Sequence, residues 1–340
     1  MLKSLYSGVS GMKSFQTKMD VIANNIANTN TIAFKSGRTR FQDMISQTTL
    51  NASGPTTGGA GGINPQQIGL GVRVGAIDTI MDGGQLQPTN RDLDFAIEND
   101  GFFAVSSNID IDGETAEDIT VGTKHYTRDG AFFRDYEGNL VNSNGERVLG
   151  YVMEDYNLDP TDSDTIPDFY NSVDTLPDDY LDVPDPTDTD ETNTAKLELL
   201  KPLKIPDRIL GVDDTGDITE NVVELQSYSV DTAGMIVGVY SDGRAYLLGQ
   251  IGIVKFSNPE GLEKVGNNNY VFTNNSGAPV AGEAGGSGFG AIRQGFLEMS
   301  NVDLANEFTE MIIASRAYSA NSRSITTSDE MLQELINLKR

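Results

Sequence analysis

Carboxylates are the first candidates for chemistry in this sequence. Fifty Asp and Glu stand against 24 Lys and Arg, for a formal charge of −26 over 340 residues. Paired carboxylates do acid–base work at glycosidic bonds. Here the pairs are so many that none is distinguished from the rest. Clustered carboxylates hold calcium. Asn108-Ile109-Asp110-Ile111-Asp112-Gly113 has the opening spacing of a calcium loop. Its twelfth position, which must supply a bidentate carboxylate, is Ile119. Asp162-Ser163-Asp164 is a weaker match.

The other chemistry-bearing residues are scarce. Cysteine is absent, which removes disulfides, thiolate metal sites and a thiol nucleophile. His125 is the single histidine, so a His-based zinc site or triad lacks its parts, and next to Tyr126 it reads as an ordinary strand residue. Gly69-Leu70-Gly71 and the Gly285–Gly290 cluster lack the strand–loop–helix setting of a phosphate cradle. The expectation is no enzyme, with no catalytic, cofactor-binding or metal site and no cofactor. The negative balance is opposite to a nucleic-acid footprint. No run of about 18 apolar residues exists to span a membrane. Lys3, Ser4, Ser7, Gly8, Ser10 and Gly11 interrupt any signal-peptide core, so export, if it occurs, uses no cleaved signal.

The negative charge is concentrated. Residues 154–194 hold fourteen Asp and Glu and no Lys or Arg, about half of the net charge. Such a run reads as a solvated or disordered insert. The two ends differ from it. Leu2, Leu5, Val9, Met12, Met19, Ala23 and Ile26 follow steps of three and four, a heptad seam. Gly8 and Gly11 weaken that helix by about 1 kcal/mol each relative to Ala. The helix should stop near Asn28-Thr29-Asn30-Thr31, whose side chains compete for backbone hydrogen bonds.

Leu304, Phe308, Met311, Tyr318, Ile325, Leu332 and Ile336 repeat the pattern at the other end, with Ser315, Ser322 and Asp329 in the gaps. Ser300 and Asp303 resemble a capping box, and no Gly or Pro follows Asn301. Both seams are partly polar, so each helix needs a partner. Ile22, Ile312 and Ile313 lie off the seams and would need further neighbours.

The middle is β-like. Strands are expected at Val72–Val74, Leu93–Ile97, Phe102–Val105, Met235–Tyr240, Ala245–Leu248, Ile251–Phe256 and Tyr270–Thr273. Hairpin turns are expected at Gly138, Gly145 and Gly243, each beside Asn or Asp. Asn51–Gly62 and Gly282–Gly290 read as Gly-rich linkers. The fold class is α+β: terminal helices, a β-rich middle and an acidic insertion. Helical ends around a β body suit a filament subunit.

Two terminal stretches carry a family resemblance. SGVSGMKSFQTKMDVIANNIANTNTIAFKSGRTRFQDM (Ser7–Met44) and SNVDLANEFTEMIIASRAYSANSRSITTSDEMLQELINLKR (Ser300–Arg340) resemble the ends of flagellar axial proteins, the rod and hook subunits. Asn64–Val105, Tyr126–Tyr151 and Gly249–Tyr270 resemble the hook subunits more specifically. The resemblance implies terminal helices paired as a coiled coil around a central channel, with β domains stacked outward. Residues 1–35 with 297–340 would be the inner polymerisation domain. Residues 36–71 with 284–296 would connect it to a main β domain at 72–150 with 226–283, and 151–225 would form the acidic outer insertion.

The implied function is structural: a subunit of the bacterial flagellar hook, polymerising into a curved tube that transmits torque from rod to filament. The expected polymerisation interface is Leu2, Leu5, Val9, Met12, Met19, Ile22 and Ile26 with Leu304, Phe308, Met311, Ile312, Tyr318, Ile325, Leu332 and Ile336. The implied partners are other copies of the chain, the distal rod protein, the hook–filament junction protein, the hook cap protein and the flagellar export apparatus. The implied location is the extracellular hook at the basal body. Two alternatives stay open: a distal rod subunit of the same family, and an acidic calcium-binding surface protein.

Overall fold

The computed structural model describes residues 2–54, 61–107, 109–111, 119–152, 197, 200–212, 218–286 and 288–338. The acidic run 154–194, Asp162-Ser163-Asp164 and the Gly/Thr stretch 55–60 lie outside them. The chain divides into two compact units. One joins residues 1–30, 34–82 and 301–340; the other joins 31–33 and 83–300.

In the first unit, helix α1 runs Leu2–Ala27 and helix α2 runs Leu304–Leu338. The end of α1 falls where the Asn/Thr run begins. At α2 the cap is Asp303 itself. Its carboxylate accepts from the amides of Ala305 (2.9 Å) and Asn306 (3.4 Å), and its carbonyl accepts from Glu307 (3.0 Å). The expected pairing of Ser300 as cap with Asp303 inside the helix is thus corrected by one turn, because the shorter acid reaches the orphan amides directly.

Strand β1 (Gly37–Asp43) pairs antiparallel with β4 (Val72–Thr79), and β2 (Ser46–Leu50) with β3 (Gln66–Gly69). Helix α1 lies on the β1–β4 ribbon. Asn25, 1% exposed, exchanges two hydrogen bonds with the backbone of Gly37 (2.9 and 3.0 Å), and Phe15 packs on Phe41 at 5.4 Å between ring centres. Gly71, at φ +123°, lets the chain pass so close that a Cβ there would sit 2.2 Å from Ser10 Oγ.

Most of the second unit is one sheet, of thirteen strands among the described residues. Its main path runs from Arg208–Val212 through Ile218–Val230, Met235–Tyr240, Ala245–Lys255, Arg147–Tyr151, Phe102–Ser106 and Lys124–Thr127 to Asn269–Val271 and Glu263–Gly266. Phe95, Phe103, Phe132, Leu140, Val148 and Ile253 form its core and are fully buried. Phe103 and Phe132 meet edge to face at 5.2 Å. The glycines at 138, 145 and 243 all take positive φ in turns, as their neighbours predict.

Several expectations are corrected here. The strands expected at Ala245–Leu248 and Ile251–Phe256 are one continuous strand, buried from Tyr246 to Val254. Residues 200–212 and 218–225, expected within an outer insertion, contribute strands to this sheet, and Leu200, Leu203 and Ile205 are in its interior. Gly282–Gly290 is not a slack linker. Gly285 donates to Gly290 O (2.9 Å), Gly290 donates to Asp100 O (3.0 Å), and a Cβ on Gly282 would strike the Phe289 ring at 2.4 Å. The calcium-like stretch enters a strand pair, with Asp110 opposite Thr120 and Ile111 opposite Ile119, not a helix-flanked loop.

His125 is more than an ordinary strand residue. Its Nδ1 lies 2.9 Å from the buried Glu146 carboxylate, which also accepts from Asn142 and Asn269 at 2.7 Å each. Burial pushes the Glu146 carboxyl up, but the hydrogen bonds from Asn269, Asn142 and His125 outweigh it and hold the group below its ordinary value. A second buried acid, Glu298, pairs with Arg128 at 3.2 Å, with both side chains at most 4% exposed.

Candidate assembly interface on the terminal helices

The site expected from the sequence is a surface, so its geometry begins with how the two helices meet. They run antiparallel. Ser4 faces Ser328 (3.4 Å), Lys18 pairs with Glu310, and Asn25 donates to Glu307 (3.0 Å). The two glycines that weaken α1 in isolation are what bring the helices together. A Cβ on Gly8 would sit 3.0 Å from Ile325, and one on Gly11 would sit 2.8 Å from the Asn321 amide. The seam is therefore made of small and polar groups: Gly8, Gly11, Ser4 and Asn25 on α1, with Asn321, Glu307 and Ser328 on α2. Burial raises the Glu307 carboxyl above its ordinary value, against the opposing hydrogen bond from Asn25.

The arms that carry the helices are fixed by polar groups that the sequence reading missed. Asn301 accepts from the Ser36 amide (2.8 Å), donates to Ile80 O (2.9 Å) and Asp82 O (3.2 Å), and its own amide donates to Phe34 O (3.3 Å). Lys35 is fully buried and donates to Asp82 O at 2.9 Å. Neither position carried a pattern signal. A lysine in a polar stretch is ordinarily solvated.

Large apolar side chains lie mostly off the seam. Of the fifteen expected interface residues, Ile22 is inside the chain's own fold at 4% exposure, which corrects the expectation that it needs a neighbouring copy. Leu5, Met12, Met19, Ile26, Met311, Ile325 and Leu332 are half-buried. Val9, Leu304, Phe308, Ile312, Tyr318 and Ile336 are exposed. Leu2 opens α1, and its side chain lies outside the described ones. Ile313 is exposed beside Ile312, at 52% and 54%. Tyr6, Met331, Leu335 and Leu338 are exposed too and were not expected in the interface. The last three recur at i, i+4 and i+7, a spacing that marks a shared helix face.

This arrangement has counterparts in known proteins. Family models match residues 5–35 (flagella basal body rod protein), 96–238 (flagellar hook protein FlgE/F/G D1 domain) and 293–338 (flagellar basal body rod FlgEFG protein, C-terminal). The chain is 42% identical to the flagellar basal-body rod protein FlgG of Bacillus subtilis over the full length of both. It belongs to the flagellar hook and rod family. Within that family it is also 33% identical to the flagellar hook protein FlgE and 33% identical to the rod protein FlgG of Borreliella burgdorferi, again over the whole of each chain. A crystal structure of the Helicobacter pylori flagellar hook protein FlgE2 is similar at a TM-score of 0.38 and 12% identity, covering 63% of this chain and all of that one. The hook and rod family is a structural component of the flagellum. Among the described residues no helix is long and apolar enough to cross a membrane.

Proposed function

We propose that the chain is a structural subunit of the flagellar hook, not an enzyme, and that it polymerises through α1 and α2. The observation that carries this reading is the exposed apolar side of the helices in a chain of this family. Leu304, Phe308 and Ile312 recur every four residues on α2 and point to water. Contiguous exposed apolar surface of this kind marks an interaction site. A seam of glycine, serine and asparagine leaves those side chains free for other copies. In the polymer, α1 and α2 form a coiled-coil inner layer from residues 1–35 and 297–340, and the β sheet lies outside it. Apolar burial between copies supplies most of the association energy. Contacts that repeat head to tail without closing give a helical tube.

The test is assembly of the purified chain. Ile312→Asp with Ile313→Asp should abolish sedimentable polymer while helix content by circular dichroism is kept. Normal tubes from that double variant would refute the reading.

A distal rod subunit is the second reading, and one observation favours it. The rod relative from Bacillus subtilis aligns over 343 positions, close to this chain's 340 residues. The Borreliella hook relative needs 456, so it has long stretches without counterpart here. Electron microscopy separates the two: curved tubes mean hook, straight ones mean rod.

A further inference from the structure

The two helices are unequal. Helix α1 has 26 residues and α2 has 35. Their register is constant: Asn25 meets Glu307, Gly11 faces Asn321, Gly8 faces Ile325 and Ser4 meets Ser328. Continued by one more turn, it leaves the last part of α2, from Asp329 to Leu338, with no described α1 residue opposite. That overhang is roughly ten residues, or about 15 Å of helix at about 1.5 Å per residue. Met331, Leu335 and Leu338 lie on one side of it and are 47%, 50% and 82% exposed. Glu330 and Glu334, one helical turn apart, edge that apolar strip with negative charge.

Helix α1 presents the complement. Lys3, Tyr6, Val9 and Lys13 follow one exposed side of it. Tyr6 is 73% exposed. The charged residues of α1 are Lys3, Lys13 and Lys18 against Asp20 alone. Lys3 donates to the neutral Gln47, and Lys18 is already paired with Glu310. An apolar strip edged with acid on one helix thus matches an apolar strip edged with lysine on the other, and the register within one chain keeps them apart.

We propose that Asp329–Leu338 of one copy docks on the Lys3–Lys13 side of α1 in a second copy. Met331, Leu335 and Leu338 cover Tyr6 and Val9 there, and Glu330 and Glu334 meet Lys3 and Lys13. This rests on the self-assembly reading above and names the contact through which successive copies stack. The contact is heterologous: each copy offers the overhang to one neighbour and the α1 face to another, so it propagates without closing.

The test is a charge swap in the full chain, read as the critical concentration for polymer by sedimentation. Glu330→Lys with Glu334→Lys, or Lys3→Glu with Lys13→Glu, should each raise it about tenfold or more, and all four together should bring it back near the native value. Added salt should raise the native value, since exposed pairs are screened over about 10 Å at 0.1 M. No rise in either double variant, or no recovery in the combination, overturns the contact. The second of these results would point to a different occupant of the overhang. If circular dichroism shows helix lost in a charge variant, Met331→Gln with Leu338→Gln carries the same test: a rise supports the contact and an unchanged value overturns it. Loss of assembly in Ile312→Asp/Ile313→Asp alongside unaffected charge variants removes this contact and leaves the self-assembly reading standing. Normal assembly in every variant removes both.

Discussion

The β unit and the helical unit bury different kinds of residue. In the β unit the large side chains are inside: Phe95, Phe103 and Phe132 are wholly covered, and the strand Ala245–Lys255 is buried along almost its whole length. In the helical unit the covered positions are Ser14, Asn25, Lys35, Ser36, Ala314 and Ser328, with Ile22 the one large aliphatic side chain among them. Its big apolar residues face water. The difference teaches that one part of the chain completes its own core and the other holds a surface to be completed elsewhere. Burial of a Leu- or Phe-sized side chain contributes about 1.5–3 kcal/mol, and the helical unit leaves most of that unrealised in a single copy.

That contrast can be broken most forcefully in the β core. Phe103→Ala should cost about 3–5 kcal/mol in urea unfolding of the monomer. A cost near zero would mean the β unit is not self-sufficient. Next comes the polar fixing of the helical arms. Asn301→Ala strands the Ser36 amide and the Ile80 carbonyl and should cost about 1–3 kcal/mol, read as lost amide-exchange protection in β1 and β4. Unchanged protection there would show that the arms are held by something else.

Acid should act on the two regions in opposite directions. Glu146 is held below its ordinary value, so its contribution to stability is full at neutral pH and is lost as pH falls through the lowered value. Glu307 is raised, so its contribution is full below the unfolded value and is lost as pH rises through the raised one. Mild acid should therefore tighten the helix pair before it loosens the His125–Glu146–Asn269 cluster. Residue-resolved hydrogen exchange across a pH series measures both, and loosening of both together would contradict it. The smallest expected effect sharpens the comparison most. Ile312→Ala should shift monomer stability by no more than about 0.5 kcal/mol, as for other surface changes. A large loss would place Ile312 in the monomer's own core.

Much of the fold was legible in the sequence. The Asn/Thr run ended α1, the absence of Gly and Pro allowed the long α2, and the Asn-Gly and Asp-Gly turns appeared where their positive-φ tolerance required. The helix seam was not legible. Periodicity assigns large apolar residues to the inside, and that rule fails for a surface reserved for other copies. Gly8, Gly11 and Asn321 looked like gaps in a stripe and are instead where the backbones approach. Lys35, Arg128 and Glu298 gave no signal, because a buried charge is recognisable only once its hydrogen-bond partners are in place. Strands 200–225 were hidden by the acidic text before them, which set the apparent boundary too late.

The close seam at Gly8 and Gly11 has one more consequence. Parting two helices joined by glycine, serine and asparagine exposes little apolar area and returns polar groups to water, which accepts them readily. The seam is thus an inexpensive hinge line. A copy that lands out of register can open its helices, let go and close again without crossing a high barrier, so the growing end of a polymer can proofread its own additions before apolar burial locks them in.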